Sequence, residues 1–342
     1  MISPLPMPLV RPTALPAPTV AAERTPGPPP LLLVGHGTRC AVGEAQFSSF
    51  VDRLGRRLAA PGVAVAGGLI ELAPPPVTDA VASLLRQGHR DVVAVPLMLV
   101  AAGHAKGDIP AALAREVQRF PGFSYRYARV LGPDPQVLTA LLERLDAVLD
   151  VADRPGTQVV LVGRGSTDPD ANSEVARAAH LLWQASGGPG AGLAGVETAF
   201  VSLAAPGVPA ALERCRRLGA HRIVVVPLFM FAGVLPTRVV TQAREWAALQ
   251  PGVEVRCAEV IGDCDLLAGA VTARYAEAAA GPVLAGCDTC VYRVALPGFA
   301  HRVGQPQTPH DHPDDPVGHG HSHTRSSRRG TRSAVTDPAA RS

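Results

Sequence analysis

The chain holds one lysine among 32 basic residues, only 18% charged residues and six cysteines in 342 positions. Each scarcity excludes something. Six cysteines in a chain this long are too sparse for a disulfide scaffold. A formal net charge of +3 is too mild to argue for nucleic acid on charge alone. No apolar run approaches the roughly 18 residues of a membrane span. The first thirty residues hold ten prolines, two arginines and no unbroken apolar stretch, unlike a secretory signal or a transit peptide. No G-x-G-x-x-G fingerprint is completed, so no nucleotide cofactor is expected. The expectation is a cytoplasmic protein, monomer or homodimer, with neither nucleic acid nor membrane as partner.

What is present is a large apolar content, 47%, enough for a sizeable core. Residues 1–30 are Pro-rich and residues 301–342 are rich in His, Pro, Ser, Gly and Arg; both ends are expected to be disordered. Between them, short apolar runs alternate with helical periodicity. Strands are expected at Leu31–Val34, Val63–Leu72, Asp91–Leu99 and Ser124–Leu131. Helices are expected at Glu44–Leu58, Val77–Gln87, Asp108–Phe120 and Pro135–Leu149. Apolar strands alternating with amphipathic helices mean a parallel sheet covered on both faces.

The order then repeats. Gly163-Arg164-Gly165-Ser166 matches Gly35-His36-Gly37-Thr38 at an offset of 128. Phe200–Ala204 matches Leu69–Ala73, and Val224–Phe229 with Pro227 matches Val93–Met98 with Pro96, both at 131. Ile261-Gly262-Asp263 matches Leu131-Gly132-Pro133 at 130. The expected fold is α/β: two duplicated lobes, 31–150 and 157–280, each a parallel sheet flanked by helices. Residues 281–300 follow as a separate segment.

In open parallel sheets, ligands bind beyond the carboxyl ends of the strands. In the first lobe those ends deliver His36, Glu71 and, just past the third strand, His104. Two imidazoles and a carboxylate suit a divalent first-row metal. The second lobe has Arg164, Ser202 and Leu235 (Val234 with a one-residue gap) at the corresponding places. It builds the same strands without the three ligands, so their presence in the first lobe is chemical rather than architectural.

The stretches Leu32–Arg39, Leu69–Pro75, Val95–Leu99 and Ala102–Pro110, the last reading Ala-Gly-His-Ala-Lys-Gly-Asp-Ile-Pro, resemble the sirohydrochlorin chelatases of the CbiX and SirB type. The resemblance covers about residues 31–280. It implies two duplicated Rossmann-like lobes with a cleft between them, no nucleotide, and insertion of Co²⁺ or Fe²⁺ into sirohydrochlorin or its precursor. The family's metal-handling His, Glu and His fall on His36, Glu71 and His104, which the reading takes as both metal-binding and catalytic.

Such a reaction needs the macrocycle held and bent, an ion that sheds water stepwise, and an acceptor for two pyrrolic protons. His36 and His104 suit ligand and acceptor roles, and Glu71 suits either. The substrate bears many carboxylates, for which Arg39 and Lys106 are the expected partners. Cys287-Asp288-Thr289-Cys290 offers two thiolates, half of a zinc or iron–sulfur site, and the resemblance extends to long members with a cluster at a similar motif. Cys257 and Cys264 are further thiols that suit packing better than ligation. His310, His312, His319, His321 and His323, with His301, hold over half of the eleven histidines and suit a metal-gathering tail. The tail and the duplicated length favour Co²⁺ and cobalamin synthesis over Fe²⁺ and siroheme, with Ni²⁺ also admitted. The rival readings are a cobalt or nickel store or metallochaperone, and a structural two-lobe protein that binds zinc.

Overall fold

Leu31–Gly35 (β1) is apolar and buried throughout, as a strand covered on both faces requires. It opens a lobe that continues through α1 (Ala41–Leu58), β2 (Val65–Leu69), α2 (Val77–Arg86), β3 (Asp91–Pro96), α3 (Ile109–Arg119), β4 (Ser124–Tyr127) and α4 (Pro135–Asp146). The sheet order is β2-β1-β3-β4, all parallel, with Leu33 aligned to Gly67 on one side and Val95 on the other. After a 3₁₀ turn at Val151–Gly156 the second lobe repeats the plan. Its elements are β5 (Thr157–Gly163), α5 (Pro169–Ala185), β6 (Gly195–Phe200), α6 (Val208–Arg217), β7 (Arg222–Pro227), α7 (Val234–Ala248), β8 (Glu254–Cys257) and α8 (Asp265–Ala280), in the order β6-β5-β7-β8. The computed structural model describes residues 27–188, 190, 192–283, 290–295 and 297–305.

The duplication reaches single hydrogen bonds. Leu97 donates its N–H to Val34 O and Leu228 donates to Val162 O, each at 2.8 Å. Glu71 N bonds His36 O at 3.1 Å, and Ser202 N bonds Arg164 O at 2.9 Å. Leu72 and Leu203, the next residues, are the two non-glycine residues in the left-handed region among those described, at φ 69° and 58°. The strand expected over Val63–Leu72 therefore ends at Leu69. The left-handed residue and the prolines that follow turn the chain out of the sheet.

Period-two alternation sorts the strand side chains. Leu31, Leu33, Val93 and Val95 face a core that also takes Val159, Leu161, Val224 and Val226 of the second sheet. Residues of α1, α4, α5 and α8 fill that core, including Phe50, Leu141, Leu182 and Val271. Leu32, Val34, Val92 and Ala94 face the other way, onto α2 and α3, while Val160, Val162 and Val225 face α6 and α7. The two lobes thus share one helix layer between their sheets. Truncating a fully buried leucine there to alanine costs ~2–5 kcal/mol. The polar edge of this layer is reciprocal: Arg144 of α4 donates to Ile261 O and Arg274 of α8 donates to Leu131 O, each at 2.7 Å.

Residues 288–342 form a second unit, of which 290–295 and 297–305 are described. There Cys290 O accepts from Arg293 N and Val294 N, and Ala300–Arg302 forms a 3₁₀ turn. Cys287, His310, His312, His319, His321 and His323 lie outside the described residues. No helix among the described residues is long and apolar enough to cross a membrane.

Candidate metal centre

The chain leaves β1 for one edge of its sheet through β2 and returns on the other side as β3. The gap between β1 and β3 is therefore the switch point where such sheets bind ligands. His36 follows β1 directly and His104 follows the β3 loop, so the two imidazoles flank that gap. Glu71 joins them because the turn after β2 bonds back to His36 O. Gly37 makes the approach possible: its φ is 107°, and a Cβ there would lie 1.9 Å from Glu71 O. Gly165 stands in the same relation to Ser202 O, at 1.8 Å.

The structure brings all three predicted ligands together. His36 Nε2 lies 2.9 Å from Glu71 Oε1 and 3.0 Å from His104 Nε2. One ligand atom from each residue lies within 4.8 Å of the others, and among the described residues this is the one group of three or more metal-type ligands. Chemistry settles the tautomers. His36 Nδ1 faces Gly37 O at 3.1 Å, and His104 Nδ1 faces Asp108 Oδ2 at 2.6 Å. A carbonyl and a carboxylate only accept, so both Nδ1 atoms carry hydrogen and both Nε2 lone pairs point inward. Three lone-pair donors this close need a cation among them, a proton or a metal.

Asp108 is a partner of His104 that sequence reasoning missed, although it lies inside the quoted motif. The helix expected from Asp108 begins instead as a π-turn over His104–Asp108, with α3 following from Ile109. That turn brings the carboxylate back onto its imidazole, a placement common where helices carry a function. Carboxylate–histidine pairs of this kind fix the ring and raise its basicity toward a metal. Burial works the other way and dominates. It drives the His104 pKa down to about 4 against the pull of Asp108, with the nearby Arg164 guanidinium adding to the fall. His104 is therefore neutral throughout the physiological range.

Arg164 is the second residue missed. It entered the sequence comparison only as the absence of a histidine. Yet it lies within electrostatic range of both Glu71 and His104. Burial lowers the guanidinium pKa and the charge of Glu71 opposes that. The signal was available in the duplication, since equivalent strand ends of two facing lobes meet at one cleft. A fixed positive charge beside three ligands weakens the hold on a divalent ion.

The expected substrate-facing cations are placed differently from one another. Arg39 is exposed in the loop between β1 and α1. Lys106 is turned away from open solvent, with Nζ 2.8 Å from Asp168 Oδ2 and 2.8 Å from Asp170 Oδ2 of the second lobe. Burial lowers its pKa, and the two carboxylates outweigh that and hold it above the usual lysine value. Cys257 and Cys264 pack at the edges of the two cores as free thiols. Cys290 is also a free thiol, and its C-x-x-C partner lies outside the described residues.

The CbiX family model matches residues 30–148 and again 158–278, one match for each lobe. A sirohydrochlorin cobaltochelatase of Priestia megaterium is 32% identical over 268 residues, covering 78% of this chain and 85% of that protein. A sirohydrochlorin ferrochelatase of the same organism is 31% identical over 209 residues, 61% of this chain and 76% of that protein. Among solved structures, the sirohydrochlorin chelatase SirB from Bacillus subtilis subspecies spizizenii in complex with cobalt superposes with a TM-score of 0.60. It is 26% identical and covers 74% of this chain and 96% of that one.

Proposed function

The chain belongs to the CbiX family, and from that premise we propose that it inserts a divalent metal, Co²⁺ foremost, into sirohydrochlorin without a nucleotide. The observation that carries the reading is the convergence of the His36, His104 and Glu71 donor atoms at the switch point of the first lobe. Sirohydrochlorin and the metal are both substrates here.

Each residue has a role its surroundings support. His104, neutral and oriented by Asp108, offers Nε2 to the incoming ion. His36 offers its own Nε2 from across the gap. Glu71 adds the negative charge that helps the ion shed water, and its carboxylate can take a pyrrolic proton as the metal leaves for the macrocycle. Three donors rather than a closed cage of four leave a position through which the metal is handed on. Arg39, exposed beside the first motif, remains the candidate for a substrate carboxylate. Five free thiols among the described residues fit a reducing compartment, so the cytoplasm is the proposed setting.

Cobalt is proposed over iron because a cobaltochelatase matches 78% of the chain, against 61% for the ferrochelatase of the same organism, and the C-terminal segment is rich in histidine. The deciding experiment is an absorption assay of sirohydrochlorin with Co²⁺, Fe²⁺, Ni²⁺ or Zn²⁺ and no ATP. Insertion of Co²⁺ well above the spontaneous rate is expected, and faster than that of Fe²⁺. No acceleration with any of the four ions would overturn the reading.

A further inference from the structure

The internal duplication supplies a control for every contact across the cleft. Ala101 and Ala232 stand at the same place in the two lobes, after the third strand. Each gives its backbone N–H to a side chain on the first helix of the other lobe: Ala101 to Glu174 Oε2 at 2.8 Å, Ala232 to Gln46 Oε1 at 2.7 Å. Gln46 and Glu174 are themselves equivalent, at the offset of 128 that relates His36 to Arg164. Each third-strand loop is thus braced by the opposite lobe, and this exchange belongs to the architecture.

The symmetry fails at several charged contacts between the lobes, Arg53 with Asp263 among them, and one of these adjoins the His104 loop. Lys106 sends Nζ between Asp168 and Asp170 of the second lobe. The mirrored positions hold Thr237, Cys40 and Val42, which carry no charge, and the Thr237 hydroxyl bonds back to Gly233 O on its own helix. The ion-pair clamp exists only on the side whose loop carries an imidazole. Its three side chains are nearly buried, at 14%, 3% and 11% exposure. Buried charge clusters are a weak source of stability, because desolvation offsets the Coulomb gain. The mirrored contact shows that the lobes close without one. What such a cluster does supply is a fixed geometry.

That geometry bears on His104. Lys106 lies within the π-turn His104–Asp108, and Tyr127 Oη holds the same turn from its own lobe by donating to Ala105 O at 2.9 Å. On the far side the clamp is rooted in a helix end: Asp168 caps α5 through Oδ1 to Asp170 N at 3.1 Å while Oδ2 meets Lys106. Carboxylates are favoured at that end by the helix dipole.

We propose that Lys106, gripped by Asp168 and Asp170, is a positioning residue through which the second lobe aims His104 Nε2 at His36 and Glu71. The lobe that lacks the ligands then serves as the jig for the lobe that has them. This rests on the reading of His104 as a metal-handling residue.

The test uses the full chain with Lys106→Met and Asp170→Asn, separately and combined. Co²⁺ affinity is measured by equilibrium dialysis without tetrapyrrole, and kcat and KM for sirohydrochlorin are measured at saturating Co²⁺. Each single variant is expected to weaken Co²⁺ binding and lower kcat by about 10- to 100-fold, the scale seen when a ligand's support is removed. KM for sirohydrochlorin should not move, and the double variant should be no worse than either single one. Lys106→Arg should recover part of the loss. If Lys106→Met fails to fold, Asp170→Asn carries the same test, since it keeps the side-chain shape and leaves the Asp168 cap in place. The proposal is overturned if Lys106→Met raises KM for sirohydrochlorin while Asp170→Asn does not, which would make Lys106 a substrate contact. It is equally overturned if both variants melt lower with Co²⁺ affinity and kcat unchanged. A parent chain that binds Co²⁺ but inserts none refutes the chelatase reading alone, and the Co²⁺ affinities still decide the clamp.

Discussion

His36 Nε2 and His104 Nε2 face each other at 3.0 Å across the gap between β1 and β3. Each ring has its other nitrogen committed to an acceptor, so the pair presents two lone pairs to one point and Glu71 presents a third. The fold creates this meeting. Strand order places the ends of β1 and β3 side by side, and the post-β2 turn returns Glu71 to them.

Replacing His36 by Ala or His104 by Leu is expected to cut the rate of metal insertion by ~100-fold or more while leaving the fold intact. The second lobe forms the same strands with Arg164 and Leu235 in those places. Circular dichroism and the insertion assay check both halves of the statement. Variants that keep near-normal rates at saturating metal would remove these residues from the site.

Much of this was legible in the sequence, and the reasons are physical. Apolar runs such as Leu31–Val34 and Val92–Pro96 are buried on both faces, so they announce a parallel sheet without any knowledge of partners. The repeat at nearly constant offset announced two lobes, and the one-sided loss of ligands pointed to His36, Glu71 and His104. Asp108 was hidden because a helix start at that position predicts a regular turn, in which the role of its carboxylate on His104 is not visible. Lys106 drew notice as the lone lysine, but its partners lie 62 and 64 residues away in another lobe. No local pattern carries that information.

Asp108→Asn tests the support of His104. Asn offers an amide that can present either oxygen or nitrogen to Nδ1, so the tautomer is no longer enforced and the negative charge is gone. Co²⁺ affinity is expected to fall about 10- to 100-fold, with the fold unchanged. Calorimetric titration of Co²⁺ into the metal-free protein reads the effect directly. Unchanged affinity would show that Asp108 does not set the imidazole.

The depressed pKa of His104 has a consequence for stability. In the unfolded chain this histidine takes a proton near pH 6.5, whereas in the folded chain it resists until about pH 4. The unfolded state therefore binds more protons between those values, and stability falls as pH drops through that window. His104→Leu removes this contribution, so the metal-free variant should lose less Tm than the parent between pH 7 and pH 4.5. Thermal melts at four or five pH values suffice. Parallel curves for the two proteins would show that burial of His104 is not the cause.

Deleting residues 301–342 should leave the maximal rate nearly unchanged and raise the Co²⁺ concentration needed for half-maximal rate. A histidine-rich segment tethered to the enzyme raises local metal supply without touching the transition state. Rate against free Co²⁺, held by a metal buffer, gives the answer. A truncated chain with no turnover at any metal concentration would make the segment part of the catalytic machinery.

The most direct test of the whole account is the rate of Co²⁺ insertion by Glu71→Gln across pH. Gln keeps the shape and one acceptor oxygen, and loses both the charge and the capacity to take a proton. A rate lower by roughly two orders of magnitude is expected. Partial recovery at raised Co²⁺ would mark the carboxylate as a ligand first, and loss of the acid limb of the pH profile would mark it as the base. A Glu71→Gln chain that inserts Co²⁺ as fast as the parent at every pH would contradict the account, leaving Glu71 as a residue at a strand end and the three-residue centre without its carboxylate.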